Sequence, residues 1–515
     1  MDKSRLQRNK LRGKKQTTYT GSKGPGSLEV LLLLFLLLGI MITLNSQTDV
    51  LKKFPQAEQE TLFTPELMVS DLHYMFETMS EVHPNLNTYI TEQEIQLLKD
   101  KAEVGFTSEE PRTEFYKAVA PVVARLGDKN TGILIPQEER AAYIAQDAPL
   151  FPLDIDFSGE ETVVLHNYTN DTLLAPGTPI LSINGVPVQQ IESTLLDYIS
   201  GRDPEEKKEL LEISFRELQW YVFRMESPYE INVRITIPRP RYRTPLQRVV
   251  SRNVIGLTGA QLAEKARPEK TQAPYELTFR EEDNTAILTC KSLSDIEGLK
   301  SKLAEIKTGL NTEEAKGLVV DLRGTRGYDL DGAKLLGEFI GAGNIVNREE
   351  IRVSTRIRRK YARMLPWYQR WYPPIFCETC KILWNTKKGE LAVFRGVEDT
   401  TSTKQVFDGL ISVVVDHGSG ELASMIAAAA NETGKATTVG ETTGSNPFIM
   451  SEPMSFGLPE TYLWVTSSSK KVIGFGNDMM NVPPVVEVQQ NPRDTRRGID
   501  TVLEMAVEIV TARDS

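Results

Sequence analysis

The run Gly317-Leu318-Val319-Val320-Asp321-Leu322-Arg323-Gly324-Thr325-Arg326-Gly327 decides how this chain folds. Its first residues are apolar without alternation, the pattern of a strand covered on both faces. Gly324 and Gly327 end the run, and glycine there lets the backbone turn sharply and approach a neighbour closely. Working outward, 285–288 reads as a strand, 296–310 as a helix and 330–340 as another helix. After a long insertion come a strand at 410–415, a helix at 422–431 and a strand at 436–439. Continuous apolar strands alternating with helices specify a mixed α/β core, expected over 275–512 with an insertion at 347–405. Such a sheet places ligands at the carboxyl ends of its strands.

Two pieces precede the core. Over 60–145, Leu67, Leu72, Met75, Phe76 and Met79 recur at helical spacing, and Thr107-Ser108-Glu109-Glu110 suits a helix entry. We read this as a helical cap. Over 150–240 the pattern turns to short β-like runs, 151–157 and 162–166, followed by Leu181-Ser182-Ile183-Asn184-Gly185-Val186-Pro187. Asn-Gly between apolar runs signals a hairpin, because both residues tolerate positive φ. A helical stretch at 191–198 follows, giving a small β module.

The amino terminus is unlike the rest. Residues 1–26 carry eight cations and one acid, and 30–44 is an uncharged, leucine-dominated run. As a helix those fifteen residues rise about 22 Å, short of a ~30 Å hydrocarbon core but extendable at either end. We read 1–26 as a basic cytoplasmic tail and 27–46 as a single transmembrane anchor. A cleaved signal peptide is the rival reading, although no small-x-small cleavage site follows the run. The positive-inside rule leaves the bulk of the chain outside the cytoplasm, in the plasma membrane of a single-pass protein. Beyond residue 46 remain 52 of the 60 cations and 68 of the 70 acids, a net −16. That balance gives no overall electrostatic reason to lie on an anionic membrane.

With 515 residues, 40% hydrophobic and a net charge of −10, the chain is long enough for several packed units. It is also too acidic for a nucleic-acid binder built on phosphate contacts. Three cysteines and four histidines exclude a disulfide-stapled mini-protein and argue against a histidine-rich metal enzyme. No metal or cofactor is expected.

Taken in order, several segments resemble the tail-specific (C-terminal processing) serine protease family, in its tricorn-like branch. They are His83-Pro84-Asn85-Leu86 with Leu126-Gly127-Asp128-Lys129-Asn130-Thr131, the Asn184-Gly185 module, and 318–327. Strand 410–415, Val439-Gly440-Glu441-Thr442-Thr443-Gly444, Leu458-Pro459 and the tail with Asp494, Gly498 and Asp500 complete the series. The resemblance covers about 65–512. It implies a ClpP/crotonase-like α/β core, a helical cap, a PDZ-like module at 150–240 and a polypeptide substrate. It also implies that Gly324, Gly327 and Gly420 supply oxyanion-binding N–H groups.

The family's nucleophile lies where a strand meets a helix, here Asp416-His417-Gly418-Ser419-Gly420-Glu421. Ser419, at a helix start between glycines, is the first candidate nucleophile, with the N-cap role as its structural alternative. Counting back from Val439-Gly440-Glu441 by helix length puts Glu421 at the nucleophile position; matching by the glutamate puts Gly418 there. A serine needs an adjacent base. Asn130 stands where the tricorn-like branch resembles a histidine, so His417 is the substitute considered, with Lys470 or Lys471 behind it. Two functions follow as expectations: a membrane-anchored extracytoplasmic serine peptidase acting on polypeptides, or a silent relative that binds peptide or ligand without hydrolysis.

The insertion carries a basic run, 352–370, interleaved with Trp367, Tyr368, Trp371, Tyr372 and Phe376. A lid, a partner groove, a membrane contact or a local mini-core would each account for it. Cys377 and Cys380 are spaced to close a local disulfide outside the reducing cytosol.

Overall fold

The computed structural model describes residues 61–237, 239, 245–265, 273–310, 317–327, 329–396, 407 and 409–512, without the side chains of 309, 310 and 492. The basic tail and the apolar run at 1–46 lie outside the described residues. Among the described residues no helix is long and apolar enough to cross a membrane.

The cap is built from α1 (Pro65–Val82), α2 (Glu92–Gly105) and α3 (Arg112–Ala124). A complete capping box starts α2, Thr91 and Glu94 satisfying each other's backbone N–H groups. Leu72, Met75, Phe76 and Met79 lie on the buried stripe of α1 as their spacing predicts, but its first member is Met68, and Leu67, expected there, is exposed. On the same helix Asp71 is fully buried and accepts from the N–H groups of Glu460 and Thr461 and from Thr461 Oγ1. Burial raises its carboxyl pKa, opposed by those hydrogen bonds, and the contact staples the cap to the 460–461 segment of the core.

The module is a four-stranded antiparallel sheet, with 186–187, 180–183, 229–237 and 246–254 in that order. Asn184 and Gly185 both adopt positive φ in its first hairpin. Helices α4 (Val188–Leu196) and α5 (Pro204–Leu218) pack beside it. The fourth strand, Leu246–Val254, lies past the expected boundary at 240; it is largely exposed and polar, so it lacks the apolar alternation that marks a strand. Cap and module share one hydrophobic core, joined by Phe456, Leu458, Leu463 and Val465.

The central sheet follows the order β1 (Tyr275–Arg280), β2 (Thr285–Cys290), β3 (Gly317–Asp321), β4 (Leu410–Val415), β5 (Thr437–Gly440), β6 (Val486–Glu487). Only β1 runs antiparallel to its neighbour. Both faces are covered, which is why the strands read as unbroken apolar runs. Leu318, Val320, Ile411 and Val413 face the helices α6 (Ile296–Leu310), α7 (Leu330–Phe339) and α8 (Glu421–Thr433). Val319 and Val414 face Val502, Ala506, Val507 and Val510 of α9 (Thr501–Thr511). Each buried valine contributes about 1.5–3 kcal/mol.

The insertion is woven into the core. Its strands 348–352 and 391–395 join 470–473 and 448–451 in a second, antiparallel sheet. The charged Arg348-Glu349-Glu350 hides that strand from an apolar-periodicity reading. A local core of Ile351, Val353, Ile357, Tyr361, Cys380 and Leu383 also takes in Val82 of α1. Cys377 and Cys380 are joined as a disulfide.

Candidate active site

β3 and β4 are parallel neighbours, Asp321 level with Val414, so the turns that leave their carboxyl ends meet. The first turn is 322–327. Gly324 adopts φ +61°, a conformation open to glycine at little cost. Arg323 turns back to pair with Asp321 at 2.6 Å and with Asp500, the N-cap of α9, at 2.7 Å. The second turn is 416–420, after which α8 begins with Gly420 as N-cap.

Asp416 knits the turns together. Its Oδ1 accepts the N–H of Gly324 at 3.0 Å and that of Gly418 at 2.9 Å. Gly420 N–H donates to Thr325 O at 3.0 Å. Of the three glycines expected to bind an oxyanion, Gly324 and Gly420 therefore direct their N–H groups into these turns. Gly327, at φ +126°, packs against Leu293 and Ser294.

Ser419 lies between the turns and is 1% exposed. Its Oγ donates to Leu322 O at 2.9 Å and accepts Asp416 N–H at 3.0 Å. His417 points outward, its side chain 73% exposed, with Nε2 3.6 Å from Glu441 Oε2. No hydrogen bond joins it to Ser419 among the described residues. The structure thus brings the two residues onto one turn without connecting their side chains. The lysines named as alternatives are engaged elsewhere: Lys470 with Glu349 and Glu452, Lys471 with Asp478.

In front of these turns is a cleft of about 260 Å³ between cap, module and core, lined among others by Tyr89, Lys129, Arg202, Glu206, Glu421 and Phe448. A buried pair organises the cap side. Asn85 N–H donates to His83 Nδ1 at 3.1 Å, so the ring proton sits on Nε2, which donates to Asp128 Oδ2 at 3.1 Å. Burial pushes the Asp128 carboxyl up, but hydrogen bonds from His83, Thr131 and Ser468 outweigh it and hold it below the usual carboxylate range. Asn130 Nδ2 donates to Met450 O at 2.6 Å, docking this loop on the core. Lys129, presented between them, reaches Glu421 Oε2 at 3.0 Å and Glu206 Oε1 at 3.3 Å.

Lys129 and Glu206 are cleft residues that sequence reasoning missed, since only folding brings positions 129, 206 and 421 together. For Glu421 a signal existed: the helix-length register. A smaller crevice of about 10 Å³ reaches Ser419 past Asp203, Glu206, Arg326 and Glu421.

The fold and its paired glycine turns define the class: a mixed α/β protein whose two glycine turns meet at the carboxyl ends of neighbouring parallel strands. Residues 284–463 match the model of Peptidase family S41, so the resemblance read from the motifs is borne out there, and the match supports a hydrolase. Among solved structures, the chain is similar to mature CPAF complexed with lactacystin, at 14% identity and a TM-score of 0.50, covering 84% of this chain and 95% of that one. A photosystem II D1 C-terminal processing protease aligns at 14% identity with TM-score 0.42, covering 86% and 97%. The tricorn protease aligns at 12% identity with TM-score 0.34, covering 87% and 37%. No curated protein matches the chain.

Proposed function

We propose that this chain takes polypeptide segments into the cleft between cap, module and core, as a membrane-anchored, extracytoplasmic peptidase of the tail-specific type. The observation that carries the reading is the convergence of the 322–327 and 416–420 turns within the segment that matches the peptidase family. The apolar run at 30–44 with its basic flank supports the anchor and the outward orientation. The antiparallel sheet of 180–254 beside the cleft suits a PDZ-like role in seating a peptide. In this reading Ser419 is the nucleophile, and attack requires its Oγ to leave Leu322 O and find a base.

A second reading, binding without hydrolysis, is favoured by one specific observation. The Ser419 hydroxyl is buried with its donor and acceptor bonds filled by backbone, while Glu421 and Lys129 face the cleft as an ion pair. A serine so held is neither exposed nor activated.

A fluorophosphonate probe on the full chain separates the two. Labelling that disappears in Ser419→Ala establishes the peptidase. Absence of labelling in folded protein, together with saturable binding of an unstructured polypeptide that Lys129→Glu weakens, establishes the binder.

A further inference from the structure

The 351–377 segment holds seven cations and no acid, in a chain whose net charge is −10. Four of those cations are used internally. Arg352 caps the carbonyls of His83, Pro84 and Gly389, and Arg358 those of Leu383, Trp384 and Thr386. Arg356 pairs with Glu81 and Lys360 with Glu452. Arg359 and Arg363 are exposed and meet no carboxylate among the described residues. Arg370 is exposed too, its guanidinium bonded among the described residues to the carbonyls of Leu365 and Arg363.

Beside these cations the chain leaves its local core. Ile357, Tyr361 and Leu383 are buried there, yet the next turns are not. Met364 is 67% exposed, Trp367 81%, Trp371 72% and Ile375 63%, with Tyr368 and Tyr372 about half exposed. Their rings meet one another: Trp367 lies 6.0 Å from Tyr368 between ring centroids, and Trp371 6.1 Å from both Tyr372 and Phe376. Short 3-10 turns at 367–369 and 373–375 carry several of them, and the Cys377–Cys380 disulfide follows.

We propose that 359–376 is a lipid-docking face that sits in the headgroup region of an anionic bilayer. Tryptophan and tyrosine favour that layer because one end of each ring is apolar and the other is wet. Unpaired arginines at the same level meet lipid phosphates, and Met364 and Ile375 supply apolar area for the acyl boundary. A protein partner also selects Trp, Tyr and Arg. What favours lipid is the charge: a segment of one sign with no acid of its own, on a chain of the opposite sign, and a sequence expected to carry a membrane anchor at 27–46. The overall −16 outside residue 46 conceals this face because its acids lie elsewhere. The inference is independent of whether Ser419 acts as a nucleophile.

The test reconstitutes the full chain into vesicles of phosphatidylcholine, with and without phosphatidylglycerol, whose acyl chains carry bromine near the headgroup. Tryptophan emission is compared with that of Trp367→Ser/Trp371→Ser and of Arg359→Glu/Arg363→Glu. In anionic vesicles the wild-type emission is quenched. Removing Trp367 and Trp371 reduces quenching to the level set by the other three of the five tryptophans. The charge-reversed variant, or added salt, lowers it several-fold. Far-ultraviolet circular dichroism checks that the variants fold. Equal quenching in wild type and the tryptophan variant overturns the proposal. So does aromatic-dependent self-association in detergent, seen by sedimentation, without lipid quenching, because the occupant is then a second copy.

Discussion

The backbone N–H of Gly324 donates to the carboxylate of Asp416 at 3.0 Å, joining residues 92 positions apart in sequence. The same oxygen accepts Gly418 N–H, so one charged acceptor fixes the geometry of both glycine turns. Charge-assisted bonds of this kind are roughly twice as strong as neutral ones. The Asp416→Ala variant is expected to lose about 2–4 kcal/mol of unfolding free energy, and Asp416→Asn about half of that. Urea denaturation followed by tryptophan fluorescence reads both, and a loss below about 0.5 kcal/mol in the alanine variant would show that the turns are held by other contacts.

Ser419 makes its own contribution to that junction. Replacing it with alanine leaves the half-buried Asp416 N–H without its acceptor, while Leu322 O keeps the N–H of Thr325. The expected cost is about 1–2 kcal/mol. It should appear in unfolding curves whether or not the serine reacts with a fluorophosphonate, which makes stability and labelling two separate readouts.

Gly444 tests how closely the turns approach. A Cβ at that position would lie 1.8 Å from the carbonyl oxygen of His417, a backbone atom with little freedom to yield. Gly444→Ala should therefore cost about 3 kcal/mol or more, seen as a lower thermal midpoint. A wild-type midpoint would mean that the 416–420 turn is free to shift.

Lys129 stands between Glu206 and Glu421, all three largely shielded from water. Lys129→Met leaves two carboxylates facing one another across the cleft, at an expected cost of about 1–2 kcal/mol. Glu421→Gln/Lys129→Met should recover part of it. A double-mutant cycle in unfolding free energy measures the coupling, and additive effects would show that the pair contributes nothing.

Glu212 predicts a pH dependence. Burial raises its pKa from 4.5 to about 7, opposed by Phe157 N–H and reinforced by the negative charge of Asp156. A carboxyl whose folded pKa is raised holds its proton more tightly in the native state. Stability is therefore lost as pH climbs from about 4.5 to about 7, and the loss stays constant above that. Glu212→Gln keeps the acceptor for Phe157 N–H without the charge. It should stabilise the protein at pH 8 and do little at pH 4, the difference reduced by the partial exposure of the site. Equal effects at both pH values would remove the carboxyl's charge as the cause.

The strands at 317–321 and 410–415, the helices that follow them and the Asn184-Gly185 hairpin were legible because period and turn chemistry are local properties. The strand at 348–352 was not, since its charges mask its period and its partners at 470–473 lie far along the chain. At the site, the sequence named the two turns and Ser419, but placement there is a matter of who meets whom. Only the folded chain shows the Ser419 hydroxyl consumed by Leu322 and Asp416, and only it sets Lys129 against Glu421.

By itself, then, the sequence determined the apolar strands and helices of the central core and that a glycine turn follows each of two apolar strands, because backbone preference and burial pattern are written residue by residue. Tertiary structure alone decided where each hydroxyl, carboxylate and ammonium finds its partner. A hydrogen bond is satisfied within about 3 Å, and that distance is set by the packing of elements hundreds of residues apart, for which no local pattern in the chain carries a mark.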